Sequence, residues 1–274
     1  MVEHIDQDIE WFGEEGGRGL RGIALAGDTI YLAASNRLLA FDRQFRPMDS
    51  WANPHLADCR GLSVYDGKLY LVSSGNDSVL SFDLAEKRFD WAMNVRRDRF
   101  RFSPVPYDPA SEEGPLRVSK LGLNDIDCGE SGMYVSGRDT GGLLLFNGES
   151  LQMAVELPAG AQNARRFRTG VLFNDSRDGL VRYSGDDEGS EDRALPVPFY
   201  AAGDHDEFDD DATRMLRHGY ARGLCALSGH VVAGGMTPAS LAVYDLRGNR
   251  RLLTVSFTRN VKEAVNFVEV LKAS

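Results

Sequence analysis

The chain has 274 residues, of which 42% are hydrophobic and 26% charged, and its formal net charge is −10. That balance belongs to a globular chain with a core; it argues against a nucleic-acid partner, which would demand surplus Lys and Arg, and no apolar stretch approaches the roughly 18 residues that would span a membrane. The acidic start, Met1-Val2-Glu3-His4-Ile5-Asp6, does not read as a secretory signal, and Cys59, Cys128 and Cys225 lack a Cys-x-x-Cys pair, so they read as small buried hydrophobes in a cytoplasmic protein.

In chain order, Ile9-Glu10-Trp11-Phe12 comes first and reads as an outer strand. Next, Gly22-Ile23-Ala24-Leu25, a turn at Gly27-Asp28, Thr29-Ile30-Tyr31-Leu32-Ala33-Ala34, a turn at Asn36-Arg37 and Leu38-Leu39-Ala40-Phe41-Asp42 predict three consecutive strands. The pattern returns as Leu62-Ser63-Val64, Leu69-Tyr70-Leu71-Val72 and Val79-Leu80-Ser81-Phe82-Asp83. It returns again around Met133-Tyr134-Val135 with Leu143-Leu144-Leu145-Phe146, around Val171-Leu172-Phe173 with Leu180-Val181-Arg182-Tyr183, and around Val231-Val232-Ala233 with Leu241-Ala242-Val243-Tyr244-Asp245. Residues 151–157 and 251–257 supply fourth, outer strands. Apolar runs without alternation fit sheets packed on both faces.

A polar marker opens each copy: Arg21, Arg60, Asn124, Asn163, Arg222 and, near the C-terminus, Asn266, at spacings of 39, 64, 39, 59 and 44 residues. Strand repeats of about 40 residues are the mark of a β-propeller. The expected fold is therefore an all-β, single-domain propeller over residues 1–274. It has five to six blades, with the sequence leaning to six positions, the last incomplete, and the two termini pairing to close the ring. A helical reading of residues 261–271 competes with the sixth position. The long spacings imply insertions at about 94–120 and 185–218. The first contains Pro104, Pro106, Pro109 and Pro115 and reads as an irregular loop; the second is acidic.

In such a fold the markers would gather at one mouth of a central channel, with the turns holding Asp77, Arg138 and Arg177 around them. Arg21, Arg60 and Arg222 offer planar donors to a carboxylate, phosphate or sulfate, with Asn124, Asn163 and Asn266 orienting it. Alternatively, Asn124, Asp125 and Asn163 could bring oxygens to a divalent cation such as Ca²⁺, with Asp77 or Asp139 as base. The same arginines could instead bridge neighbouring blades. The run Asp204-His205-Asp206-Glu207-Phe208-Asp209-Asp210-Asp211 lacks EF-hand spacing and reads as a solvated insertion suited to a basic protein partner. No nucleophile or phosphate-loop motif stands out.

The stretches Leu121-Gly122-Leu123-Asn124-Asp125-Ile126, Arg222-Gly223-Leu224-Cys225-Ala226-Leu227 and residues 261–271 resemble an uncharacterised bacterial β-propeller family known only as a domain of unknown function. The resemblance implies a propeller without an assigned reaction. Members often carry His before the Asn of the first motif, where this chain has Leu123. A looser architectural likeness to the gluconolactonase and regucalcin type implies a metal-dependent hydrolase or lyase. The leading expectation is a propeller that binds a small polar, anionic ligand. A metal-assisted hydrolase or lyase is the alternative, and a protein-interaction platform the second alternative.

Overall fold

The computed structural model describes residues 19–99, 101–186, 192–199, 220–260 and 263–271. Among them are five antiparallel sheets, each built in chain order from its inner to its outer strand, the blade pattern of a propeller. The first holds β1 (Gly22–Ala26), β2 (Thr29–Ala34), β3 (Arg37–Phe41) and β4 (Pro47–Ala52). The second holds β5 (Cys59–Tyr65), β6 (Lys68–Ser73), β7 (Ser78–Asp83), β8 (Arg88–Asp98) and β9 (Arg101–Tyr107). The third holds β10 (Leu123–Gly129), β11 (Gly132–Gly137), β12 (Gly142–Phe146) and β13 (Leu151–Glu156). The fourth holds β14 (Ala161–Phe167), β15 (Gly170–Asp175), β16 (Leu180–Gly185) and β17 (Arg193–Pro196), and the fifth β18 (Tyr220–Ala226), β19 (Val231–Thr237), β20 (Ser240–Asp245) and β21 (Arg250–Ser256). No described helix is long and apolar enough to cross a membrane.

The chain divides into two compact units. One runs to Met133 and includes Leu145–Gln152; the other comprises Tyr134–Leu144 and Met153 onward, so the division passes through the third sheet. In the first unit Tyr31, Leu38, Leu62, Leu69, Leu80 and Phe82 form one core between the first and second sheets. In the second, Leu172, Val181, Leu224, Val232 and Tyr244 do the same for the fourth and fifth.

A turn device recurs after the third strand of a blade. Asp42 accepts backbone N–H groups from Gln44 and Arg46 (both 2.9 Å), Asp83 from Ala85 and Glu86 (both 2.9 Å), and Asn147 from Glu149 (3.1 Å) and Ser150 (2.8 Å). Asp245 accepts from Arg247 at 3.0 Å. These side chains supply the acceptors that the tight turn cannot supply from its own backbone.

The expected strands are present, and the blade count among the described residues is five, within the expected range. Several details differ. Residues 101–107 of the first insertion form β9 rather than loop; Pro104 and Pro106 are tolerated because β9 is an edge strand. Residues 193–196 of the second insertion form the outer strand of the fourth sheet. Residues 263–271 are neither helix nor strand. They nevertheless lie where a following inner strand would: a Cβ on Gly223 would meet Asn266 O and Phe267 Cα at 2.6 Å, as a Cβ on Gly61 would meet Asp125 Cα at 2.7 Å and one on Gly22 would strike Arg60 O. The outer strand expected at residues 9–12, with the closure by the termini that depends on it, and the acidic run at 204–211 lie outside the described residues.

Candidate functional site

Arg60, Asn163 and Arg222 sit where the inner strands are irregular. The ladder shifts register between Cys59 and Leu62, between Gln162 and Arg165, and between Arg222 and Leu224. Such bulges re-aim the side chains they carry. Asn163 (φ 51°) and Gly223 (φ 48°) take left-handed backbone there.

In the first unit Arg21 and Arg60 both turn onto Asp58. Arg60 Nη2 donates to its carboxylate at 2.9 Å, and Arg21 Nη1 stands 3.6 Å away. Asp58 thus supplies, from within the chain, the carboxylate that the sequence reading assigned to a bound anion. Asn124 is buried at the start of β10. Asp125 is also buried, presses against Gly61, and accepts the N–H of Ile126 at 2.9 Å. Asp77, in the turn between β6 and β7, holds the end of the returning insertion: it accepts from the backbone of Lys120, Leu121 (2.8 Å) and Leu123 (3.4 Å) and from the Ser119 hydroxyl (3.3 Å).

In the second unit Arg222 donates to Thr237 Oγ1 at 2.9 Å and to Asn266 Oδ1 at 3.1 Å, and its guanidinium lies over the Tyr220 ring at 5.2 Å. Asn163 Oδ1, the atom that would ligate a cation, accepts from Gly223 N (3.1 Å) and Asn174 Nδ2 (3.2 Å). Arg138 pairs with Asp139 on the surface, and Arg177 is exposed. No group of three or more His, Cys, Asp or Glu with metal-holding geometry occurs among the described residues. Arg21, Asn163 and Arg222 thus each reach another inner segment within their unit, through Asp58, Gly223 and Asn266 respectively, while Arg60 turns back onto Asp58 of its own segment.

A concave feature that the sequence reading did not single out lies in the first unit. A groove of about 400 Å³ opens between the second and third sheets, lined by Tyr65, Lys68, Tyr70, Trp91, Met133 and Phe146, with Cys128 and the Gly148 turn completing it. That volume is within the range of small-ligand and side-chain pockets. Trp91 and Phe146 stack at 5.8 Å and 28°. Among the described residues lining it, Lys68 alone is charged, and it is bonded to Asp90, which raises its pKa. Burial raises the Tyr70 phenol and pushes the Cys128 thiol up to about 12, so both stay neutral at physiological pH. The signal was present in the sequence, but Trp91 and Phe146 are 55 residues apart, and only the packing of two blades brings them together.

No family model matches the sequence, and no curated protein matches it. Solved structures do. The WD40 repeats of RRP9 superpose with a TM-score of 0.56 at 10% identity, over 89% of this chain and 64% of that one. U3-55K superposes with a TM-score of 0.55 at 12% identity, over 89% and 65%. The chain spans just under two thirds of the length of each. The likeness is one of fold, and it makes this a β-propeller with WD40-type neighbours.

Proposed function

We propose that the chain is a protein-interaction module that receives a partner in the groove between its second and third blades. The observation that carries the reading is the groove itself: an open, aromatic-walled concavity on a rigid stack of sheets, with hairpin turns for its lips. The occupation of Arg21, Arg60, Arg222 and Asn163 by partners within the chain turns the reading away from a small-anion receptor and from a cation-dependent hydrolase built on Asn124, Asp125 and Asn163.

The test is site-specific photocrosslinking in cells. A photoreactive residue at Asn147, on the groove lip, is expected to form an adduct with a discrete protein, and Trp91→Ala is expected to abolish it. The same probe at exposed Leu252 of β21 serves as control. No protein adduct from Asn147, or one indifferent to Trp91→Ala, overturns the proposal.

A further inference from the structure

The junction between the first and second sheets carries an aromatic set related to the groove, and there it is filled. Tyr31, third residue of β2, and Trp51 of β4 pack with Phe82 near the end of β7; the Tyr31–Trp51 centroids are 6.3 Å apart and the Trp51–Phe82 centroids 4.7 Å. Lys87, from the turn after β7, seats its ammonium 5.7 Å from the Tyr31 ring centre and 5.9 Å from that of Trp51, and donates to the Tyr31 hydroxyl at 2.9 Å. Tyr31 and Phe82 are fully buried there.

At the next junction Tyr70, third residue of β6, and Phe146 at the end of β12 hold the places of Tyr31 and Phe82, while the indole comes from another register position: Trp91 of β8 pairs with Ser81, whereas Trp51 of β4 pairs with Leu38. Register pairs both tyrosines with the equivalent residue of the third strand, Tyr31 with Ala40 and Tyr70 with Ser81. Here the link between the third and fourth strands is Asn147-Gly148-Glu149-Ser150, as long as the link at residues 84–87 between β7 and β8 but without a lysine. Tyr70 and Phe146 are only half-buried, and the groove opens where the first junction is closed.

The lip is also acidic. Asp66, Glu130 and Glu149 are exposed on the three turns that edge the groove, and those turns contain no Lys or Arg. Lys68, the resident cation, is neutralised by Asp90. Aromatic faces below a carboxylate margin favour a cation, through the ring quadrupole and through long-range attraction.

Resting on the interaction-module reading, we propose that the groove's occupant is a segment of a protein partner that inserts a lysine side chain among Tyr70, Trp91 and Phe146, supplying from outside what Lys87 supplies at the first junction. The methylene stem packs on the rings while the ammonium faces the carboxylate lip.

The experiment pans a random peptide library displayed on phage against the full chain, with depletion on Trp91→Ala. Peptides selective for the unaltered chain are expected to be enriched in lysine. Replacing that lysine with norleucine, which keeps the four-carbon stem and lacks the ammonium, is expected to weaken binding about tenfold or more. The double variant Asp66→Asn, Glu130→Gln, confined to exposed turns and harmless to folding, is expected to weaken binding of the same peptide and flatten its salt dependence. Enrichment of lysine-free peptides that need Trp91, or norleucine binding equal to lysine, overturns the lysine inference while sparing the interaction module. Failure to recover any Trp91-dependent peptide, together with no adduct from Asn147, overturns both.

Discussion

Asp58→Asn tests whether the repeated arginines hold the blades together or wait for a ligand. Asp58 sits just before β5 with φ 49°, a left-handed conformation that Asn accepts, so the substitution removes charge without forcing the backbone. It removes the carboxylate onto which Arg60 (2.9 Å) and Arg21 (3.6 Å) turn, and leaves two guanidiniums facing each other across an amide. The three side chains are 17–25% exposed, neither buried nor fully solvated. A hydrogen bond to a charged group contributes about 1.5–3 kcal/mol, and an exposed ion pair about 0.2–1 kcal/mol; the partly shielded cluster lies between, at about 1–2 kcal/mol. For a chain of this size that is a fall in Tm of about 2–4 °C. The assay is urea unfolding by far-UV circular dichroism for the parent chain, Asp58→Asn, Arg60→Ala and the double variant. The cycle is expected to show coupling of about 1 kcal/mol. Sulfate is expected to raise the Tm of Asp58→Asn, where it takes the vacated place of the carboxylate, and to leave the parent unmoved. If both single variants melt with the parent, and sulfate stabilises the parent as much as the variant, the bridging argument is refuted and the arginines belong to an anion site.

Gly61→Ala and Gly223→Ala are expected to destabilise by about 1–3 kcal/mol or more by thermal melting, because the added methyl meets main-chain atoms of the next inner segment at 2.7 and 2.6 Å; parent-like melting would show that these glycines are not packing-limited. Phe82→Ala, emptying a fully buried site between Trp51 and Phe89, is expected to cost about 3–5 kcal/mol in urea unfolding. Turn N–H groups of Arg46, Glu86 and Gly248 respectively are the main cause holding the Asp42, Asp83 and Asp245 carboxyls below their ordinary value of 3.8. A depressed folded-state value means stability that is fully present above the unfolded value and lost as pH falls through the folded one. Asn147 performs the same turn duty with an amide, so Asp42→Asn, Asp83→Asn and Asp245→Asn together are expected to keep the fold at pH 7 and flatten the loss of stability below about pH 4; an unchanged acid limb would refute the assignment.

The strands were legible because each blade's hairpins are local: apolar runs such as Thr29–Ala34 and Ser240–Asp245, with Asp or Asn at the turn between, determine pairing without reference to distant residues. What escaped depended on neighbours. The proline-bearing segment around Pro104 and Pro106 became an edge strand because β8 runs long enough to template it. The 263–271 segment reads equally as helix or strand by periodicity, and it is neither, because its course is set by Gly223 and Gly235, which admit its main chain at close range. Composition at Arg21, Arg60 and Arg222 announced a polar cluster; the sequence could not announce Asp58, whose relation to Arg21 exists only once the first two sheets pack.

The repeat itself explains why the candidate site was hard to read. Residues that recur from blade to blade, the marker before β5 and β18 glycines and the Asp or Asn after the third strand, meet demands every blade shares: close approach of inner segments and satisfaction of a turn. Recurrence in such an array therefore points first to construction. Function is better sought where equivalent positions diverge. Tyr31 and Tyr70 occupy the same place in successive blades, yet one is sealed beneath Lys87 and the other opens into the groove beside Trp91 and Phe146. The difference lies in the turn after β12, which carries no lysine although its strands and the capping Asn147 keep the pattern of the other blades. A blade junction altered in its turn while its sheets are preserved costs little in folding and leaves an aromatic surface facing solvent, which is the physical condition for a partner to bind there.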